Sequence, residues 1–148
     1  MKRFAFLLLS ATVALLVLRA PLRAQIPKPL SLEKTLRENQ WKKRVLLIAA
    51  PNAAHADFQY QKALLATEEA GLAARDFLVL PVLYDQLSAA DKQFLRREIG
   101  LTPPAFAAVL IGKDGGVKEK SSRPIKPAAL FGIVDRMPMR REEMRRAK

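Results

Sequence analysis

The order of apolar and polar positions along the 148-residue chain divides it into short runs with different periods. Arg44 to Ala50 (RVLLIAA) and Phe77 to Tyr84 (FLVLPVLY) are nearly continuous apolar runs bounded by turn residues, as strands covered on both faces are. Phe106 to Ile111 is a third such run. It stops at Gly112, ahead of Lys113-Asp114-Gly115-Gly116 and the charged return Val117 to Lys120. An Asp-Gly pair between two strands favours positive φ at both central residues, so this stretch predicts a β-hairpin closed by a type I′ turn. The returning arm is mostly charged, as an edge strand guarded against further pairing is.

Between these runs the period becomes that of a helix. Ser31 predicts an N-cap for a short helix ending at Asn39, with Leu32 and Leu36 on one side. Asp57 predicts the N-cap of the next helix, in which Phe58, Leu65 and Leu72 fall seven apart, Tyr60 and Leu64 widen the apolar face, and Arg75-Asp76 closes the run. Ser88 with Asp91 reads as a capping box for a helix whose inner side is Phe94, Leu95 and Ile99 and whose end is Gly100. Pro127 suits the first turn of a last helix carrying Leu130, Phe131, Val134 and Met137 inward. Pro138 then interrupts, and Glu142 and Arg146, four apart, support a helical extension.

Strand, helix, strand, helix, hairpin, helix predicts an α/β chain with a thioredoxin-like three-layer fold, a central four-stranded mixed sheet flanked by helices. The crossover from Arg44 to Tyr84 sets two strands parallel, and the hairpin then joins antiparallel to the first. The second strand is left at the sheet edge, where Pro81 is tolerated.

Charge and the N-terminal stretch add to this picture. The 26 basic and 14 acidic side chains give a net charge of +12 and a pI near 10.5, a field that draws polyanions. Met1-Lys2-Arg3, the uncharged run Phe4 to Leu18 and the small Ala24 before Gln25 make residues 1–24 a signal peptide, with an uncleaved anchor as the alternative. Its removal takes away Lys2, Arg3, Arg19 and Arg23 and lowers the charge from +12 to +8. The expected division is then 25–40 as N-terminal linker and short helix, 41–137 as the domain, and 138–148 as a basic tail or helical extension. Export, periplasmic or secreted, argues against nucleic acid. It favours an anionic envelope or extracellular polymer, or a protein partner. The chain has no cysteine, so thiol chemistry is excluded whatever the compartment.

The segments LIGKDGGVK (Leu110 to Lys118) and DRMPMRREEM (Asp135 to Met144) resemble paired signatures of a domain of unknown function with a thioredoxin-like or peroxiredoxin-like fold. That domain is shared by exported bacterial proteins and the animal equarin, URB and SRPUL extracellular matrix proteins. The similarity covers Leu36 to Arg145. It implies the fold and carries no biochemical activity with it. Where a thioredoxin keeps Cys-x-x-Cys, after the first strand, Pro51 to Asp57 reads Pro-Asn-Ala-Ala-His-Ala-Asp, so disulfide exchange and peroxide reduction are chemically impossible. The cis-proline position of a thioredoxin falls at Ala107, with Pro103 and Pro104 a few residues earlier.

Two groups of residues are candidates for function. Asn52, His55 and Asp57 share the loop after the first strand, where the sole histidine stands near a helix N-terminus as an acid/base or ligand candidate, or as a solvated loop residue. Lys113, Lys118, Lys120, Arg123 and Lys126, with Arg136, Arg140 and Arg141, form two basic clusters that the expected fold brings near one another. No carboxylate pair, metal motif or cofactor motif stands out, so no catalytic residue, metal or cofactor is assigned. The reading is an exported, redox-inactive binding module for an anionic partner. A cysteine-free enzyme using the Asn52 to Asp57 loop and a structural interaction domain are the alternatives.

Overall fold

A computed structural model of the chain describes residues 31–147. The expected signal peptide and the start of the linker, residues 1–30, lie outside the described residues, as does Lys148. The apolar runs become strands β1 (Arg44–Ala50), β2 (Phe77–Leu83) and β3 (Ala107–Ile111), and the charged return becomes β4 (Val117–Ser121). They form one mixed sheet in the order β2-β1-β3-β4. β1 pairs parallel with β2 and antiparallel with β3, with Leu46 opposite Leu110 and Leu47 opposite Val109. The expected pairings are therefore present, and Pro81 lies on an edge strand opposite Ile48.

The alternation of side chains along β1 builds two cores. Val45, Leu47 and Ala49 pack with Val109 and Ile111 against Leu32 of α1 (Leu32–Asn39), and against Leu95 and Ile99, which follow α4 (Ala89–Phe94) in a π-helical turn. Leu46, Ile48 and Ala50 pack with Leu110 against Phe58 and Leu65 of α2 (Ala56–Ala66), Leu72 of α3 (Glu69–Ala73), and Leu130 and Val134 of α5 (Pro127–Asp135). Each fully buried leucine contributes roughly 2 kcal/mol of transfer free energy, so β1, buried at every position, anchors both sides. A last helix, α6 (Pro138–Arg146), completes the chain.

Polar side chains tie these layers together. The Ser88 hydroxyl accepts from the Asp91 amide at 3.1 Å and donates to the Asp91 carboxylate at 2.8 Å. That carboxylate also accepts from the Leu32 amide at 2.8 Å, joining α1 to α4. Gln61 of α2, fully buried, accepts from the Ile125 amide at 2.7 Å and donates to the Ile125 carbonyl at 2.9 Å, fixing the loop ahead of α5. The Pro103–Pro104 peptide bond is cis.

Three local expectations are corrected. The helix drawn from Asp57 to Leu72 is two helices, and its N-cap is His55, with Asp57 in the first turn. At the break the Thr67 hydroxyl donates to the Leu64 carbonyl, and within α3 Gly71 admits the Phe131 ring to within 2.7 Å of where a Cβ would sit. In the hairpin turn Gly115 alone takes a positive φ, at 85°, not Asp114 and Gly115 together. The Gly112 carbonyl accepts from the Gly115 amide, the Asp114 side chain accepts from the Gly116 amide, and the pairing shifts register at Leu110/Ile111. This is a longer loop with a glycine in the left-handed region, favoured because the Asp114 side chain bonds locally. Phe106 stands just outside its strand.

Candidate functional site

The expected basic clusters fall into two populations once each side chain is placed. At the end of the sheet where β1 begins, Arg44 is 1% exposed and donates to the Glu143 carboxylate at 3.1 and 3.2 Å and to the Arg75 carbonyl at 2.9 Å. Lys113 reaches the same place from the hairpin turn, held there by the Trp41 amide donating to its carbonyl at 2.6 Å. Its ammonium lies 2.8 Å from Glu143 and 2.9 Å from Asp76. Arg140 bridges Glu143 and Asp135 at 3.4 Å each, and Arg75 grips Asp135 through two hydrogen bonds of 2.7 and 3.0 Å while lying over the Phe131 ring.

Electrostatics follow from this geometry. Burial on its own would raise the Glu143 pKa, but hydrogen bonds from Lys113 and Arg44 outweigh it and lower the value to about 2. Asp135 is held below the usual carboxylate range, first by Arg75 and then by Arg140. Burial would lower the Lys113 pKa, yet its bonds to Glu143 and Asp76 raise it. These carboxylates are therefore ionised and occupied. The cluster fastens α6, which buries no residue of its own, to β1, the α3–β2 connection and the hairpin.

Lys113 and Arg140, both expected on a free basic face, are thus engaged inside the molecule. Lys118 pairs with Asp114 at 2.6 Å, and Lys120 donates to the Ile99 and Gly100 carbonyls, closing the π-helical turn from β4. Arg123, Lys126, Arg136 and Arg141 are exposed and have no carboxylate within salt-bridge distance among the described residues. Arg123 and Lys126 precede α5, Arg136 follows it, and Arg141 lies on α6. Sequence reasoning missed Arg44 and Glu143 as partners. Ninety-nine positions separate them, and the one signal was a basic residue opening an otherwise apolar run.

The loop after β1 is built differently. Asn52 accepts from the Ala54 amide at 3.0 Å, the His55 amide donates to the Asn52 carbonyl, and Gln59 donates to the Ala53 carbonyl. The His55 ring stacks on Phe106, with centroids 6.0 Å apart, and its Nδ1 is buried without a hydrogen-bond partner among the described residues. Asp57 makes no hydrogen bond to it among the described residues. A hollow of about 390 Å³ opens beside Pro51 and is lined by Tyr84, Asp85, Lys92, Arg96 and Pro104, and His55 is not part of its wall. Among the described residues no group of three or more His, Cys, Asp or Glu side chains is arranged to hold a metal ion, and no helix is long and apolar enough to cross a membrane.

Comparison with known proteins adds a family. Residues 35–143 match the domain of unknown function DUF4174, and the chain belongs to that family. The chain is similar to coiled-coil domain-containing protein 80 of Danio rerio, 29% identical over 141 residues that cover 79% of this chain and 16% of that protein. It is similar to sushi repeat-containing protein SRPX of Homo sapiens, 30% identical over 114 residues covering 70% of this chain and 25% of the relative. Sushi repeat-containing protein SRPX2 of Mus musculus matches at 28% over 116 residues. The chain thus spans a quarter or less of the length of these relatives. No solved structure matches it.

Proposed function

We propose that this member of the family is an exported, redox-inactive binding module with a thioredoxin-like sheet, which recognises an anionic envelope or extracellular polymer through the cations at the two ends of α5. The observation that carries the reading is the division of the basic residues. Lys113 and Arg140 are neutralised by Glu143 and its neighbours, whereas Arg123, Lys126, Arg136 and Arg141 face solvent without a carboxylate partner among the described residues. The nine residues of α5 span about 14 Å, so a flexible polyanion can touch both ends at once. Such contacts are screened by salt, which makes ionic strength the natural probe.

The binding surface of this proposal is therefore smaller than the one drawn from sequence, and it excludes Lys113 and Arg140. The stacked His55 ring, with its buried Nδ1 unpartnered, weighs against an acid/base role for the Asn52 to Asp57 loop. Retention on immobilised heparin tests the proposal. With Arg123, Lys126, Arg136 and Arg141 all changed to Glu, binding at low salt is expected to disappear while the far-UV circular dichroism is unchanged. Undiminished retention of the folded variant would sink it.

A further inference from the structure

Trp41 sits where the backbone suits it least. Asn39 to Lys42 form a type II turn, with Gln40 at φ −57° and ψ 139°, Trp41 at φ 65°, and the Lys42 amide donating to the Asn39 carbonyl at 3.1 Å. The third position of such a turn favours glycine, and a bulky side chain there strains the chain. Burial does not compensate, because the indole is 63% exposed. The turn is nonetheless firmly held, by the Trp41 amide donating to the Lys113 carbonyl at 2.6 Å and the Gln40 side chain donating to the Asp114 carbonyl at 2.8 Å. Strain retained at an exposed and anchored residue points to use.

A hollow of about 770 Å³ opens next to this turn, between α1, the π-helical turn and the hairpin, and Gln40 and Lys43, on either side of Trp41 in the chain, are both in its wall. Its size is that of a small-ligand site. Leu36, Phe94, Ile99 and Ile111 give the wall an apolar part. The polar part selects a ligand by elimination. Its two cations are committed, Arg37 to Glu33 at 2.6 Å and Lys43 to Asp76 at 3.8 Å, so an anion finds no free partner. A cationic ligand is opposed by the net charge of +12. What remains is a set of acceptors. Asn39 and Gln40 commit their amide nitrogens to the Thr35 and Asp114 carbonyls at 2.9 and 2.8 Å, which leaves their side-chain oxygens without donors among the described residues. The Glu98 carboxylate, also in the wall, has no ion-pair partner among the described residues either.

We infer that this hollow binds an uncharged oligosaccharide. One pyranose ring lies against the apolar side chains with its hydroxyls donating to Asn39, Gln40 and Glu98, and a neighbouring ring stacks on Trp41 at the rim. A sugar is the neutral ligand that joins many hydroxyl donors at its edge to C–H groups on its faces, and an indole offers those faces a broad, rigid surface. The site is separate from the cations around α5, since Arg123, Lys126, Arg136 and Arg141 are not in its wall.

Binding of an uncharged sugar is insensitive to ionic strength, whereas salt weakens polyanion binding, so the two proposals can fail separately. Cellotriose and triacetylchitotriose, whose equatorial substituents leave flat C–H faces, are the probes. Titrating either into the purified protein is expected to shift the emission of Trp41, the sole tryptophan, to shorter wavelength. The NMR signals of Asn39, Gln40, Glu98 and Gly115 are expected to move with the same dissociation constant, equal at low and high salt. Trp41→Gly suits the turn, so it is expected to leave stability unchanged or raised while weakening saccharide binding more than about tenfold. Glu98→Ala is expected to weaken binding severalfold with unchanged circular dichroism. Absence of these shifts with both saccharides at millimolar concentration overturns the inference, as does binding that high salt abolishes. A Trp41→Gly protein that loses stability yet binds as tightly as the unmodified chain overturns it too, because the indole would then serve the fold. NMR titration of the unmodified chain decides the matter if a variant does not fold.

Discussion

Glu143 and the ends of α5 present the same chemistry, clustered guanidinium and ammonium groups, in opposite circumstances. At Glu143 the cations are buried or half-buried, and each has a carboxylate or carbonyl in reach. Around α5 they stand in water without such a partner among the described residues. The difference teaches that net charge is a poor guide to a binding face. A basic residue counts toward recognition only after the fold has taken the ones it needs, and here the fold takes those nearest the β1 start.

Four changes sharpen or break that contrast. The largest effect is expected from Glu143→Leu, which leaves the buried Arg44 without a carboxylate partner and Lys113 with Asp76 alone, and costs roughly 3 to 5 kcal/mol by urea unfolding. A loss below about 1 kcal/mol would show that α6 is held by something else. Acid is expected to act on the same group. The Glu143 pKa is depressed from 4.5 to about 2, so its contribution is complete above pH 4.5 and is lost as pH falls toward 2. The integrated loss is on the order of 3 kcal/mol, and Asp135, also depressed, adds in the same direction. A stability curve flat between pH 5 and about 2 contradicts this.

Asp135→Asn, which gives up the two-pronged contact with Arg75, is expected to cost about 1 to 2 kcal/mol in the same unfolding measurement. Arg141→Gln is expected to change stability by less than about 0.5 kcal/mol, because the side chain is exposed and unpaired among the described residues. Under the proposed function its effect is expected in polyanion binding alone.

Much of the fold was legible because its signals are local. The runs at Arg44, Phe77 and Phe106, the Ser31 and Ser88 caps, Pro127 at the head of α5 and Pro81 on an edge strand each act within a few residues, and each is present in the structure. The break between α2 and α3 was hidden because the apolar spacing of Phe58, Leu65 and Leu72 runs on across it, and its local sign, the Thr67 hydroxyl bonded to the Leu64 carbonyl, is not visible in the residue pattern. The hairpin turn was misread because Asp114 bonds to the Gly116 amide, a choice its Asp-Gly pair does not reveal. The charged cluster was the least legible part. Lys113, Arg140 and Glu143 look like ordinary solvated charges in the sequence, and only the pairing of β1 with β3 and the return of α6 bring them to Arg44.

The division of the cations is tested most directly by comparing two neutralising variants of equal charge on immobilised heparin. In one, Arg136 and Arg141 are changed to Gln; in the other, Lys34 and Arg37 of α1, which pair with Glu38 and Glu33, are changed to Gln. The first is expected to elute at clearly lower salt than the unmodified protein and the second close to it. Equal losses from both would mean that retention follows net charge alone, and the account of a dedicated surface around α5 would be wrong.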